Sequence, residues 1–125
     1  MFSNEKFSLQ LIEPQIIKIE IMGHTEIDEK EAKQIIEEAV KITNGKNYAV
    51  LFNANELSTI NFEAREVFAK NKKRIAAAMT SPSLPNRLLG NFFINFHKPL
   101  SPSRFLANEK LAVVWLREQI KKAKD

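Results

Sequence analysis

The strongest constraint on this chain is residues 49–52, AVLF, an unbroken apolar run entered from Asn44-Gly45 and left through Asn53-Ala54-Asn55. Apolar side chains at successive positions of an extended segment fall on both faces of the pleat, so neither face can be left to water. Helical patterns lie on either side of the run in sequence, and it reads as a central strand covered above and below. Ligands of open α/β sheets sit outside the carboxyl ends of such strands. Binding residues are therefore expected in the loop that follows: Asn53, Asn55, Glu56, Ser58, Thr59 and, closing it, Asn61. These are amides, one carboxylate and two hydroxyls, in no pattern that names a reaction.

The remaining elements arrange themselves around that strand. Residues 7–12 alternate, with Phe7, Leu9 and Leu11 against Ser8 and Gln10, and residues 16–22 alternate again as IIKIEIM. Glu13-Pro14-Gln15 is a tight turn between them, which makes an antiparallel hairpin. One of its strands is expected at a sheet edge, with Lys18 and Glu20 discouraging further pairing. Asp28 and Glu31 have the spacing of a capping box, with Ile27 placed to staple onto Ala32. Ala32, Ile35, Ile36, Ala39 and Val40 then recur at helical spacing until Asn44-Gly45 supplies a left-handed stop. Asn61 can cap a second helix over 62–71, whose apolar positions are Ala64, Val67 and Phe68. IAAAM at 75–79 reads as a second central strand, its alanines letting a helix approach closely. Ser81-Pro82-Ser83-Leu84-Pro85 breaks the chain before a third helix at about 86–96. Arg104-Phe105-Leu106 forms a short last strand, and Asn108 caps a terminal helix whose inner stripe is Leu111, Ala112, Trp115, Leu116, Gln119, Ile120 and Ala123. The expectation is one α/β domain over residues 1–125, with a mostly parallel sheet of about five strands and about four helices.

Composition narrows the chemistry. Cysteine is absent, which removes disulfides, thiolate metal sites and thiol nucleophiles together. No run approaches the roughly 18 apolar residues of a membrane span, and MFSNEKFSLQ lacks a signal-length apolar core, so a cytoplasmic location is expected. The net charge is +4, with acid concentrated at 26–38 and base at 70–74 (KNKKR) and 121–124 (KKAK). Basic helix ends answer the macrodipole, and without a groove-reading helix or interleaved aromatics they do not make a nucleic-acid binder. The acidic helix face reads as solvated, not as a metal site.

His24 lies in a strand-to-helix loop and His97 at a helix end, and both read as structural. The glycines at 23, 45 and 90 are isolated, so there is no phosphate-cradling loop. Ser58 and Thr59 have no histidine nearby in sequence to act as a base. The third helix is the most unusual segment. Leu88, Leu89, Phe92, Phe93, Ile94 and Phe96 exceed what one face can hold, so it is either wedged in the core or an apolar patch for self-association or an acyl chain. Arg87, Asn91 and Asn95 repeat every four residues on one face, either as a solvated stripe or as a hold on an anionic headgroup or carboxylate.

The element order, with FNANELSTIN, FEAREVF and RLLGNFFINFHKPLSPSRFLANEKLAVVWL, resembles the SpoIIAA-like family of small bacterial proteins. That family is related to STAS domains and more distantly similar in fold to CRAL-TRIO lipid-transfer domains. The most specific likeness is Pro102, Arg104, Phe105 and Ala112 followed by Trp115-Leu116. The resemblance implies a mostly parallel β-α domain, often a homodimer. Anti-sigma-factor antagonists of this kind carry an Asp-Ser phosphoacceptor pair at a helix start. The corresponding stretch here is Ile60-Asn61-Phe62-Glu63, with Phe62 where the serine is expected, so Ser58 or Thr59 would have to substitute.

The reading that results is a non-enzymatic binding or regulatory module, using the loop after the central strand together with the apolar helix. The alternative is a carrier of a lipid or other apolar small molecule. Neither cofactor nor metal is expected, and the expected partners are a second copy, another protein or an apolar small molecule.

Overall fold

A computed structural model describes residues 1–22, 25–54, 59–80 and 101–124. The hairpin is β2 (Phe7–Glu13) and β3 (Ile16–Ile21), antiparallel, with Phe7 opposite Ile21 and Leu9 opposite Ile19. A short β1 (Phe2–Ser3) pairs with the first half of β2. Two residues, β4 (Glu26–Ile27), precede helix α1 (Glu29–Ile42). The central strand is β5 (Tyr48–Ala54), followed by β6 (Thr59–Ile60), α2 (Phe62–Ala69), β7 (Arg74–Thr80), β8 (Ser103–Phe105) and α3 (Glu109–Lys124).

The main sheet has six strands in the order β1-β2-β3-β5-β7-β8. The three pairings from β3 through β8 are parallel and the two at the β1 side antiparallel, a mixed sheet in which the antiparallel part is the expected amino-terminal hairpin extended by β1. β1 adds a sixth strand to the five expected, and β4 with β6 makes a separate two-stranded sheet. Three helices, not four, lie among the described residues. The helix expected at 86–96 lies outside them.

Alternation on the strands builds two cores. On one face Ile17, Ile19, Val50 and Ala77 meet Ala32, Ile35 and Ala39 of α1 and Ala64 and Phe68 of α2. On the other, Ile16, Ala49, Leu51, Ala76 and Ala78 meet Ala112 and Leu116 of α3. Leu51, Ala76 and Ala78 are completely buried, as the double-sided run requires. The alanines of β7 leave room for the α3 backbone to come close, which is the role their size suggested.

The helix signals act as their chemistry dictates. Asp28 accepts from the Glu31 amide at 2.8 Å while the Glu31 carboxylate accepts from the Asp28 amide at 3.0 Å. Ile27 and Ala32 are both buried in the same core, completing the staple. Asn44 (φ 54°) and Gly45 (φ 79°) turn the chain left-handed after α1. Asn61 accepts from Ala64 and Asn108 from Leu111, each at 2.9 Å, to open α2 and α3.

Three packing expectations are corrected. Lys18 and Glu20 stand on β3, which is paired on both sides, so they protect no edge; Lys18 instead reaches Glu109 of α3 at 2.6 Å. Leu111 is half exposed and Ala123 exposed, because the α3 stripe is centred on Ala112 and Leu116 and takes in Val113. Helix α2 ends at Ala69 and not at Asn71, whose amide side chain turns to donate to the Tyr48 hydroxyl at 2.7 Å.

Close packing under α3 makes Ala78→Leu destabilising by about 1–3 kcal/mol through overpacking, read as a lower urea midpoint with an unchanged slope. A second expectation concerns Tyr48, whose ring is buried in the core. Burial pushes its phenol above the ordinary 10.0, against the hydrogen bond from Asn71. A raised folded-state value means the contribution is intact below about pH 10 and lost as pH rises beyond it. Tyr48→Phe should therefore flatten the alkaline decline in urea midpoint; an unchanged decline would exonerate the phenol.

Candidate functional site at the carboxyl edge

The parallel strands deliver three polar residues to one row. Glu20 on β3 is the register partner of Asn53 on β5, and Asn53 is the partner of Thr80 on β7. In-register neighbours share a face. Two residues back on the same face are Lys18, Leu51 and Ala78, and two residues further back are Ile16, Ala49 and Ala76, part of the α3-side core. Apolar packing thus gives way to hydrogen-bonding groups at the carboxyl ends of the three central strands. Thr80 is buried, while Glu20 and Asn53 are partly open.

Lys18 ties this row to the terminal helix. Its ammonium bridges Glu109 at 2.6 Å and Glu20 at 3.2 Å. The hydrogen bond to Glu109 raises the Lys18 pKa above its ordinary value, with Glu20 adding to the effect. The ammonium therefore stays charged and holds the Glu20 carboxylate on the sheet side of the edge, and Glu109 is the first residue of α3, where a carboxylate also meets the helix dipole favourably.

The other half of the rim is built by the small sheet. The Thr59 amide donates to the Thr25 carbonyl at 2.8 Å and the Asn61 amide to the Ile27 carbonyl at 3.0 Å. This pins the return of the loop against the entry to α1. Thr59 is exposed on that rim, and Phe62, the first residue of α2, is 53 % exposed.

The sequence candidates are therefore divided. Asn53 and Thr59 both reach the carboxyl edge, on opposite sides of the sheet plane. Asn61 is there too, but its side-chain oxygen is engaged as the α2 cap. Asn55, Glu56 and Ser58, and also Arg87, Asn91, Phe92, Phe93 and Asn95, lie outside the described residues, as do His24 and His97. Glu20 and Thr80 escaped the sequence reading. The available signal was that Thr80 stands at the polar end of a face carrying Ala76 and Ala78, and that Glu20 is in phase with Ile16 and Lys18 on β3. Among the described residues no three His, Asp or Glu side chains gather as metal ligands, and no helix is long and apolar enough to cross a membrane.

Since Asn61 acts as a cap, Asn61→Ala should lower stability by about 1 kcal/mol and Asn61→Asp should restore most of it. Equal losses in both variants, measured by urea unfolding, would show that the amide does something other than accept from Ala64.

Comparison with known proteins agrees with this architecture. A solved structure from Shewanella loihica PV-4, an uncharacterized protein of the DUF3478 family with a SpoIIAA-like fold, is similar with a TM-score of 0.64. The similarity covers 93 % of this chain and 98 % of that one at 14 % identity, and it establishes a SpoIIAA-like fold. Among curated proteins, no sequence matches this chain. Residues 10–120 match the family described as domain of unknown function DUF7793, spanning both cores, the carboxyl-edge row and most of α3. With that span of sequence shared, the chain belongs to the DUF7793 family.

Proposed function

We propose that the chain is a non-enzymatic binding module with a regulatory role, taking a protein partner at the carboxyl edge of the sheet. The observation that carries this reading is the in-register row of Glu20, Asn53 and Thr80 on three adjacent strands. An acceptor carboxylate and an amide able to donate and accept offer directional hydrogen bonds from rigid strand ends, with the buried Thr80 hydroxyl beside Asn53 in the row. Phe62 supplies an exposed aromatic at the start of α2, the residue type that anchors protein interfaces. Its position, at the start of the helix after the central-strand loop, is where the SpoIIAA-like resemblance expects the phosphoacceptor serine of anti-sigma-factor antagonists, which Phe62 replaces. A homodimer through residues 86–96 belongs to the same proposal and rests on the Phe- and Leu-rich sequence there.

The test is site-specific photocrosslinking in cells from a position on the edge, followed by quantitative capture of the crosslinked protein. Asn53→Arg and Phe62→Ser should each reduce capture by at least about tenfold, the effect of losing one interface anchor. Lys46→Glu, at the opposite end of the sheet, should leave capture intact. Undiminished capture in both edge variants, with folding verified by circular dichroism, would overturn the proposal.

A further inference from the structure

The end of the molecule opposite the proposed site has a different character. The crossovers from β3 to β5 and from β5 to β7 return the chain through α1 and α2, which run against the strands, so the carboxyl ends of these helices collect at the amino ends of β5 and β7. The Tyr48 amide donates to the Lys73 carbonyl at 3.0 Å, and the Lys73 ammonium donates to the Gly45 carbonyl at 2.8 Å. The exits of α1 and α2 are therefore side by side. Helix α3 reaches the same end from the other face, because Arg117 grips Glu13 at the hairpin turn through its Nε at 3.0 Å and its Nη2. The last two turns of α3 lie beyond that contact.

Three basic clusters far apart in sequence are brought together by this topology. Lys46 follows α1; Lys70, Lys72 and Lys73 follow α2; Lys121, Lys122 and Lys124 end α3. None of the seven has an ion pair among the described residues. Of the acids near this end, Glu13 is engaged by Arg117, and Glu37 and Glu38 by Lys41, which leaves Glu66 and Glu118 as a minority against the seven lysines. Arg74 at this end is buried, donates through Nε to the Ser101 hydroxyl at 3.2 Å, and has an Nη2 with no hydrogen-bond partner among the described residues. At the far end stand Glu20, Glu26, Asp28, Glu29, Glu63 and Glu109.

We propose that this amino edge docks on an anionic lipid surface. The charges are lysines on flexible stems, spread over the ends of three helices, and the described part of this end shows neither exposed aromatic rings nor a groove-reading helix. Such a layer suits a plane of diffuse negative charge, not base stacking or bidentate recognition. The field points the opposite, acidic end away from the membrane, leaving the Glu20–Asn53–Thr80 edge free for a partner. The docking is electrostatic and reversible, and falls off over about one Debye length.

Co-sedimentation of the full chain with phosphatidylcholine vesicles, with and without phosphatidylglycerol, tests the proposal. Binding should require phosphatidylglycerol and should weaken steeply with salt. The triple variant Lys70→Gln, Lys72→Gln, Lys122→Gln should lose about fivefold per lysine, or about a hundredfold in all. The triple Lys30→Gln, Lys33→Gln, Lys110→Gln removes the same charge from the opposite half and should bind nearly as the parent does. Equal losses in the two triples, or no preference for phosphatidylglycerol, would overturn the assignment. Tighter binding to duplex DNA than to the anionic vesicles at equal salt would also overturn it, in favour of a nucleic-acid surface.

Discussion

Everything in this fold leans on β5 being buried from both sides. Ala49 and Leu51 are sealed by α3, and Val50 by α1 and α2, while β3 and β7 satisfy its backbone on either flank. A strand so enclosed has no solvent-facing register, so a slip by one residue would exchange one filled core for another of the wrong shape. That rigidity fixes the heights of β3 and β7, and through them the alignment of Glu20, Asn53 and Thr80. The site is a consequence of register before it is a consequence of loop conformation.

The parallel crossovers have a second effect. By sending helix beginnings to one end of the sheet and helix ends to the other, they sort charge as well as chain direction. Asp28, Glu31 and Glu63 answer the amino-terminal poles of α1 and α2, and the lysines after α1 and α2 and in the last turn of α3 answer the carboxyl-terminal poles. Each choice is a local one, yet their sum is a molecule with an acidic end at the strand carboxyl termini and a basic end opposite. Two surfaces of contrasting chemistry follow from ordinary helix capping repeated in one topology.

Much of this was legible because the signals are short-range and chemically specific. The capping box at Asp28 and Glu31, the left-handed Asn44-Gly45, the caps at Asn61 and Asn108 and the alternation of the hairpin each act within a few residues. The strands β1, β4 and β6 were not legible, since two residues carry no periodicity and form only because a partner strand is present. Lys18 was misread for a related reason. A charged residue on a strand is compatible both with an edge and with an interior strand whose face meets a carboxylate on a helix, and Glu109 is ninety-one positions away (109 − 18).

The sequence by itself determined the fold class, the central strand, the capped starts of the three described helices and the carboxyl-side loop as the place to look, because apolar periodicity and capping are properties of neighbouring residues. Only the tertiary structure decided that Asn53 is flanked by Glu20 and Thr80, that Asn61 serves a helix, and that three lysine clusters meet at one edge. Those facts depend on strand order and register, which are set by the packing of whole layers and leave no mark on any one stretch of chain.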